Sequence, residues 1–311
     1  MNAAARHLEL SITAEGAMYP PAEQHRLLDV ARAADQLGVD YIDTTDHVLM
    51  GEHALTSGHG WLPHHLEMPI PEPLTTLAVM AGATQHIKLL SAIVIAPLRP
   101  AGLLAKIVAT LHALSRGRFV LGVSTSWQKD EYDALGVPFD QRGQVLEDTL
   151  GACRALWGEE SASFQSRYVH FENMHCQPRP APGDRIPIWF GGKVTPRLIR
   201  RTVNLGDGWM PFGGLGMSLP QKAAAIALLK DRMRESGRSN ERFDVCDELP
   251  PLDGSIAKSM EQVPAIAATG ASVIRVHLRR FSNQPDDVLP ALEEIVHRFA
   301  PYRDITVQPQ T

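Results

Sequence analysis

An aspartate and a histidine stand side by side at Asp46 and His47, directly after a run that predicts a strand over Val39–Asp43. Histidine is the side chain best suited to giving or taking a proton near neutral pH. In a parallel α/β barrel, polar residues at the carboxyl end of a strand point into the mouth, where catalytic groups lie. His47 is therefore a candidate catalytic residue. The alternative interpretation makes Asp46 a helix cap and His47 an ordinary loop residue.

A second candidate segment, Gly122–Trp127 (GVSTSW), ends another predicted strand. Gly122 would let the backbone approach a ligand closely. The hydroxyls of Ser124, Thr125 and Ser126 can bond to carbonyl or hydroxyl groups of a ligand. We predict that this segment binds a cofactor and that Trp127 lines a substrate pocket.

A third segment, Phe190–Pro196 (FGGKVTP), is the candidate phosphate site. Gly191 and Gly192 would free backbone N–H groups, while Thr195 suits a helix N-cap and Pro196 the first helical position. A helix N-terminus offers unpaired N–H donors and a partial positive charge to an anion. The glycine pair also fits an ordinary tight turn, and many barrels bind phosphate after strands seven and eight instead.

Strand-like and helix-like segments alternate along the chain and would position these residues. Eight strands are predicted, at Leu8–Ile12, Val39–Asp43, Ile87–Ile95, Arg118–Val123, Pro187–Phe190, Gly208–Met210, Arg242–Val245 and Val273–Val276. The alternation with helices predicts a (β/α)8 TIM barrel with insertion loops, and residues 1–311 are expected to form one domain. A doubly wound sheet, the alternative, usually carries G-x-G-x-x-G after its first strand, and Thr13–Ala17 does not fit that pattern.

Two regions are predicted to be insertions. The segment 158–186 contains Tyr168–Phe171, which predicts an edge hairpin. The loop 51–71 contains four histidines and Trp61, a pattern that invites a metal site. Their spacing and the lack of cysteine or carboxylate partners argue against a metal. We expect no metal, and we expect this loop to cover the substrate pocket with Trp61 at its wall.

Composition excludes several classes of protein. The 311 residues carry a net charge of −5, which gives no electrostatic reason to expect nucleic acid or a membrane as partner. No run approaches the roughly 20 apolar residues of a membrane span, and the N-terminus lacks the core of a signal peptide. Three widely spaced cysteines do not suggest a disulfide framework. We expect a cytoplasmic protein.

The stretches Ile87–Trp127 and Pro187–Pro211 resemble the bacterial-luciferase-like family of flavin- and deazaflavin-dependent oxidoreductases. The resemblance implies a TIM barrel, a small organic substrate, and coenzyme F420, the deazaflavin, as cofactor, with FMN as the alternative. Relatives are commonly homodimers. In relatives an Asp-His pair lies beside the cofactor ring, and the pair matching Ala92 and Ile93 forms a bulge behind it, with a cis peptide bond in several deazaflavin enzymes. Relatives often have glycine where Ser124 and Ser126 stand, and their phosphate loop matches Gly191, Gly192 and Thr195.

Three functions stay open on this resemblance. The first is hydride transfer between F420 and a small organic substrate. The second is an FMN-dependent monooxygenase that uses reduced flavin and oxygen, and the third is a non-catalytic flavin-binding relative. The sugar-phosphate dehydrogenase branch uses a glutamate as proton donor where this chain has Trp127. That reaction is therefore not expected here.

Overall fold

A computed structural model describes residues 6–56, 66–212, 216–238 and 241–307 of the chain. Eight parallel strands form a closed ring in which each pairs with the next along the chain and the eighth pairs with the first. The predicted (β/α)8 TIM barrel is confirmed. The strands are β1 (Glu9–Thr13), β2 (Tyr41–Thr44), β3 (Lys88–Ser91), β4 (Phe119–Ser124), β5 (Ile188–Gly191), β6 (Gly208–Met210), β7 (Asp244–Glu248) and β8 (Val273–His277).

Helices surround the ring of strands. The longer ones are α1 (Leu27–Gln36), α2 (Pro73–Ala83), α3 (Ala101–Leu114), α4 (Arg142–Gly158), α5 (Pro196–Leu205), α6 (Leu219–Glu235) and α7 (Val288–Phe299). Short helices lie at His53–Thr56, Lys129–Ala134, Ile256–Met260 and Val263–Ala267. Pro264 lies in the first turn of the last of these, where proline is tolerated.

Alternate residues of each strand face opposite sides of the barrel wall. Leu10 and Ile12 of β1 point outward into the core between strands and helices. Ser11 points inward, where its hydroxyl bonds Asp43 of β2. The lower interior is filled by a separate cluster of Tyr41, Leu90, Ala92, Val120, Trp189, Met210, Cys246 and Val273. Polar side chains lie at both ends of the barrel, with Glu9, Lys88 and Arg242 at the amino ends of the strands.

Two strands differ most from their predictions. The single run predicted over Ile87–Ile95 is β3 followed by a separate pair, Val94–Ile95, with a cis peptide bond between Ala92 and Ile93 in the gap. The cis bond that the resemblance implied is thus present. Strand β7 begins two residues later than predicted and extends to Glu248. Its charges hid the strand pattern, although Asp247 pairs with Lys222 on α6 and Glu248 pairs with Arg275 on β8.

The insertion after α4 is an antiparallel hairpin of Ala162–Gln165 and His170–Met174, as predicted. A second small pair, Arg6–His7 with Thr306–Val307, joins the two ends of the described chain and was not predicted. In the ranges that the structure describes, no helix combines the length and apolarity that crossing a bilayer requires.

Candidate active site

The carboxyl ends of β2 to β5 bring most of the predicted site residues together. The Asp46 carboxylate accepts the backbone N–H of Ile95 at 2.7 Å, and Ile95 pairs with Ser124 on β4. A Cβ placed on Gly191 would lie 3.1 Å from Cγ2 of Ile93. Segments separated by up to about 150 residues of sequence thus share one mouth of the barrel.

Asp46 supports the segment behind the cis bond. Its side chain is buried, and Arg99 holds both carboxylate oxygens, at 2.7 and 3.0 Å. Burial raises the pKa of Asp46 more than the Arg99 hydrogen bonds and charge lower it. The helix-cap interpretation of Asp46 is wrong, because both oxygens are committed to Arg99 and to the backbone of Ile95.

His47 is held by a carboxylate that the sequence did not single out. Its Nδ1 lies 3.2 Å from Oε2 of Glu131, and its ring meets the Trp127 ring edge-on at 5.6 Å between centroids. The other oxygen of Glu131 accepts the backbone N–H groups of Val48 and Leu49. Only 1% of Glu131 is exposed, although it stands in the polar run Lys129–Asp133. The available signal was indirect, since relatives with a glutamate at the position of Trp127 indicate that a carboxylate belongs nearby.

The peptide between Ala92 and Ile93 is held on both sides. The N–H of Ala92 donates to Thr44 O at 2.9 Å, and the Ala92 carbonyl accepts from Arg275 Nη2 at 3.2 Å. Ala92 is buried, whereas Ile93 keeps an exposed apolar face in an otherwise buried stretch. That face is available as a platform at the mouth.

The hydroxyl segment partly fits its predicted role. Ser124, Thr125 and Ser126 are all partly exposed at the mouth. Ser126 has φ of 57°, a left-handed backbone that glycine adopts most easily, which explains why relatives have glycine there. A Cβ on Gly122 would overlap the Ser91 carbonyl oxygen, so the small size of Gly122 lets the neighbouring strands pack. The role of Gly122 toward a cofactor stays a prediction.

The predicted phosphate loop has one confirmed feature and one correction. Thr195 caps α5 by accepting the Leu198 N–H at 3.2 Å, with Pro196 in the first turn. Gly192 has φ of 128°, but its N–H donates to Met210 O at 3.2 Å and is not free for an anion. The donors left for a phosphate are therefore those at the N-terminus of α5, whose first turn cannot satisfy all its N–H groups internally.

The ends of β1, β7 and β8 carry an ion-paired group that sequence reasoning missed. His277 lies between two carboxylates, with Nδ1 2.6 Å from Glu15 and Nε2 3.3 Å from Glu248. Below them Arg275 bonds Asp43 at 2.6 Å and Glu248 at 3.3 Å. Hydrogen bonds and charges from His277 lower the pKa of Glu15 to about 2, against the effect of burial. Only the closed barrel brings these ends of β1, β7 and β8 together with Asp43 on β2.

The predicted pocket wall is described only in part. Trp127 lies partly exposed beside His47. Trp61 lies outside the described residues, as do His59, His64 and His65 of the same loop. The base of that loop lies against the mouth, because a Cβ on Gly16 would meet Pro71 at 2.3 Å and Arg279 Nη1 lies 3.4 Å from Met68 Sδ.

The residues present fit a flat ring with a phosphate. Ile93 offers an apolar face, the Ser124–Ser126 hydroxyls offer donors and acceptors for polar edges, and the N-terminus of α5 suits an anion. The sequence profile described as "Luciferase-like monooxygenase" matches residues 8–298. The chain belongs to this family. It is therefore an enzyme of the luciferase-like oxidoreductases and monooxygenases.

Individual members of the family show the range of cofactors. An F420-dependent glucose-6-phosphate dehydrogenase of Kineococcus radiotolerans is 28% identical over 260 residues, covering 82% of this chain and 71% of the relative. An F420-dependent secondary alcohol dehydrogenase in complex with an F420-acetone adduct superposes with a TM-score of 0.74 at 15% identity, covering 94% of this chain and 99% of the other. A type II Baeyer-Villiger monooxygenase of Pseudomonas putida, in complex with FMN, gives 0.72 at 14% identity, covering 95% and 98%. At these identities the two structures establish the fold alone.

Proposed function

We propose that this luciferase-like enzyme transfers a hydride between coenzyme F420 and a small organic substrate. The observation that carries the proposal is the convergence of His47, the apolar face of Ile93 and the Ser124–Ser126 hydroxyls on one mouth of the barrel. The F420-dependent relative at 28% identity supports the choice of cofactor.

Each part of the mouth has a task in this proposal. The cofactor supplies the hydride chemistry when it is bound. Ile93 supports the ring, the Ser124–Ser126 hydroxyls bond its polar edge, and the N-terminus of α5 after Thr195 holds the phosphate. His47 gives or takes the substrate proton, while Trp127 shapes the pocket. The loop 51–71, with Trp61, covers the substrate and excludes water.

An FMN-dependent monooxygenase is the second candidate. The same hydroxyls and helix N-terminus suit FMN, because both cofactors combine a tricyclic ring, a ribityl chain and a phosphate. The FMN-bound monooxygenase of Pseudomonas putida has the same fold, so this fold accommodates FMN in at least one other protein. In that case reduced flavin and oxygen would replace the hydride exchange.

Titration with both cofactors, each oxidised and reduced, separates the two. Oxidised F420 absorbs at about 420 nm and FMN at about 450 nm, so binding and turnover are followed at different wavelengths. We expect stoichiometric binding of F420, much weaker binding of FMN, and a loss of the 420 nm band with an oxidisable substrate. Tight binding of reduced FMN with substrate-dependent oxygen uptake would support the monooxygenase instead.

We also propose that the enzyme acts as a one-domain homodimer in the cytoplasm. Exposed apolar residues cluster on two adjacent outer helices, with Val79 on α2 and Leu103, Ile107 and Leu114 on α3. Burying such a face is the usual reason for dimerisation. The three cysteines are buried and free, as expected in a reducing compartment. Light scattering of the purified enzyme tests the dimer.

A further inference from the structure

The Glu131 carboxylate binds three consecutive residues of the segment after β2, namely His47, Val48 and Leu49. Oε2 of Glu131 meets His47 Nδ1 at 3.2 Å, and Oε1 accepts the N–H groups of Val48 and Leu49, the latter at 3.2 Å. The Glu131 side chain is completely buried, while that of His47 remains 14% exposed. The Glu131 carboxylate is buried and accepts from three donors without competition from water. It therefore holds these three residues in a fixed position.

Residues next to Glu131, in the short helix Lys129–Ala134 and just before it, contact the same segment. The Gln128 amide donates to Gly51 O at 3.2 Å, and a Cβ on Gly51 would lie 2.4 Å from Cβ of Asp130. The Trp127 ring lies edge-on to the imidazole. The helix Lys129–Ala134 and the residues just before it therefore set the position of His47–Gly51 relative to β4.

The pairing decides which nitrogen of His47 carries the proton. A carboxylate accepts hydrogen bonds and donates none, so the nitrogen facing Glu131 must be Nδ1–H. Nε2 of a neutral His47 then has its lone pair free. The other nearby acid, Asp46, does not compete, because Arg99 and Ile95 occupy its oxygens.

We propose that Glu131 is the positioning residue that holds His47 as its Nδ1–H tautomer, leaving Nε2 to exchange the proton of the substrate. Glu131 itself touches neither substrate nor cofactor. Because it also binds the backbone of Val48 and Leu49, it fixes the imidazole and the start of the loop together. This role rests on the proposed function only where it concerns the substrate proton.

The tautomer is measured on the protein without cofactor. Nitrogen-15 NMR of histidine-labelled protein, with His47 assigned by its absence in His47→Gln, distinguishes Nδ1–H from Nε2–H. We expect Nδ1–H in the wild type and a shift toward Nε2–H in Glu131→Gln, because the amide can donate to Nδ1. The matched control is Asp133→Asn on the same helix, where the exposed Asp133 pairs with Lys129. An Nε2–H tautomer in the wild type overturns the proposal, whether or not the variant folds.

Turnover gives a second, separate readout. Once a substrate has been identified, Glu131→Gln should lower kcat by about 100-fold or more, which is the usual scale of general acid–base catalysis. KM and the cofactor Kd should stay within a few-fold of the wild-type values. Asp133→Asn should match the wild type. An unchanged kcat in Glu131→Gln overturns the role. Failure to bind either cofactor would instead refute the proposed function, and the tautomer measurement would still decide the part played by Glu131.

Discussion

The ion-paired group around His277 makes the stability of the barrel depend on pH in a defined way. Burial and Arg275 act to lower the pKa of His277, but its hydrogen bonds to Glu15 and Glu248 leave it raised above 6.5. Burial acts to raise the pKa of Glu15, but His277 and Arg279 bring it down from 4.5 to about 2. The two residues therefore stabilise the fold over different ranges of pH.

The signs follow from linkage between protonation and folding. The contribution of Glu15 is fully present above pH 4.5 and is lost as the pH falls through about 2. The contribution of His277 is fully present below pH 6.5 and is lost as the pH rises through its higher folded value. Between pH 4.5 and 6.5 both contributions are complete.

Replacing His277 by Gln tests this directly. A fall in the pKa of Glu15 from 4.5 to about 2 corresponds to about 3 kcal/mol, part of which Arg279 still supplies in the variant. Removing one member of a buried ionic group costs about 3–5 kcal/mol, and a glutamine that keeps one hydrogen bond should cost less. We expect the free energy of unfolding of His277→Gln to be about 3 kcal/mol below that of the wild type at pH 5.5, with a smaller difference toward pH 9.

The assay is urea denaturation followed by tryptophan fluorescence at several pH values. His297→Gln is the matched control, because His297 is exposed on α7. It should leave the free energy of unfolding unchanged throughout. A loss in His277→Gln that is equal at pH 5.5 and pH 9 would refute the reasoning, since it would mean that His277 is held by packing and not by charge.

Three further predictions concern the mouth and the thiols. Gly191→Ala should weaken cofactor binding about tenfold in calorimetry, because its Cβ would lie 2.6 Å from the Phe212 ring and press on Ile93; unchanged affinity would place the ring elsewhere. His47→Ala should lower kcat by about 100-fold with native circular dichroism, and wild-type turnover would remove His47 from the mechanism. The native enzyme should show no thiol reactive to a chromogenic disulfide and three after denaturation, since all three cysteines are buried; rapid native labelling would contradict the burial.

The fold was predictable because it follows from local patterns of apolar and polar residues along the sequence. Strands β4 to β6 are mostly apolar, and a strict alternation of strands and helices admits few architectures. Strand β7 was the hardest to predict, because its charged residues Asp247 and Glu248 pair with residues on α6 and β8 that are 25 and 27 positions away in sequence. The partner of Asp247, for example, is Lys222 on α6, at 2.6 Å.

The candidate site was predictable only where its residues are sequence neighbours at strand ends. Asp46, His47 and the Thr195 cap are of this kind, whereas the cis bond after Ala92 was implied only by the resemblance to the family. Glu131 and Arg275 were missed, because a charged residue gains its role from partners brought close by barrel closure. The packing role of Gly122 was missed for the same reason, since the carbonyl of Ser91 on the neighbouring strand occupies the space where its Cβ would lie.

The central claim is that a flat redox ring lies against Ile93 in the mouth formed by β2 to β5. A crystal structure of the enzyme soaked with F420 measures this directly. The account predicts the ring on Ile93, its polar edge at Ser124–Ser126 and its phosphate at the N-terminus of α5. Density for the cofactor at the opposite end of the barrel, or a ring that leaves Ile93 uncovered, would contradict it.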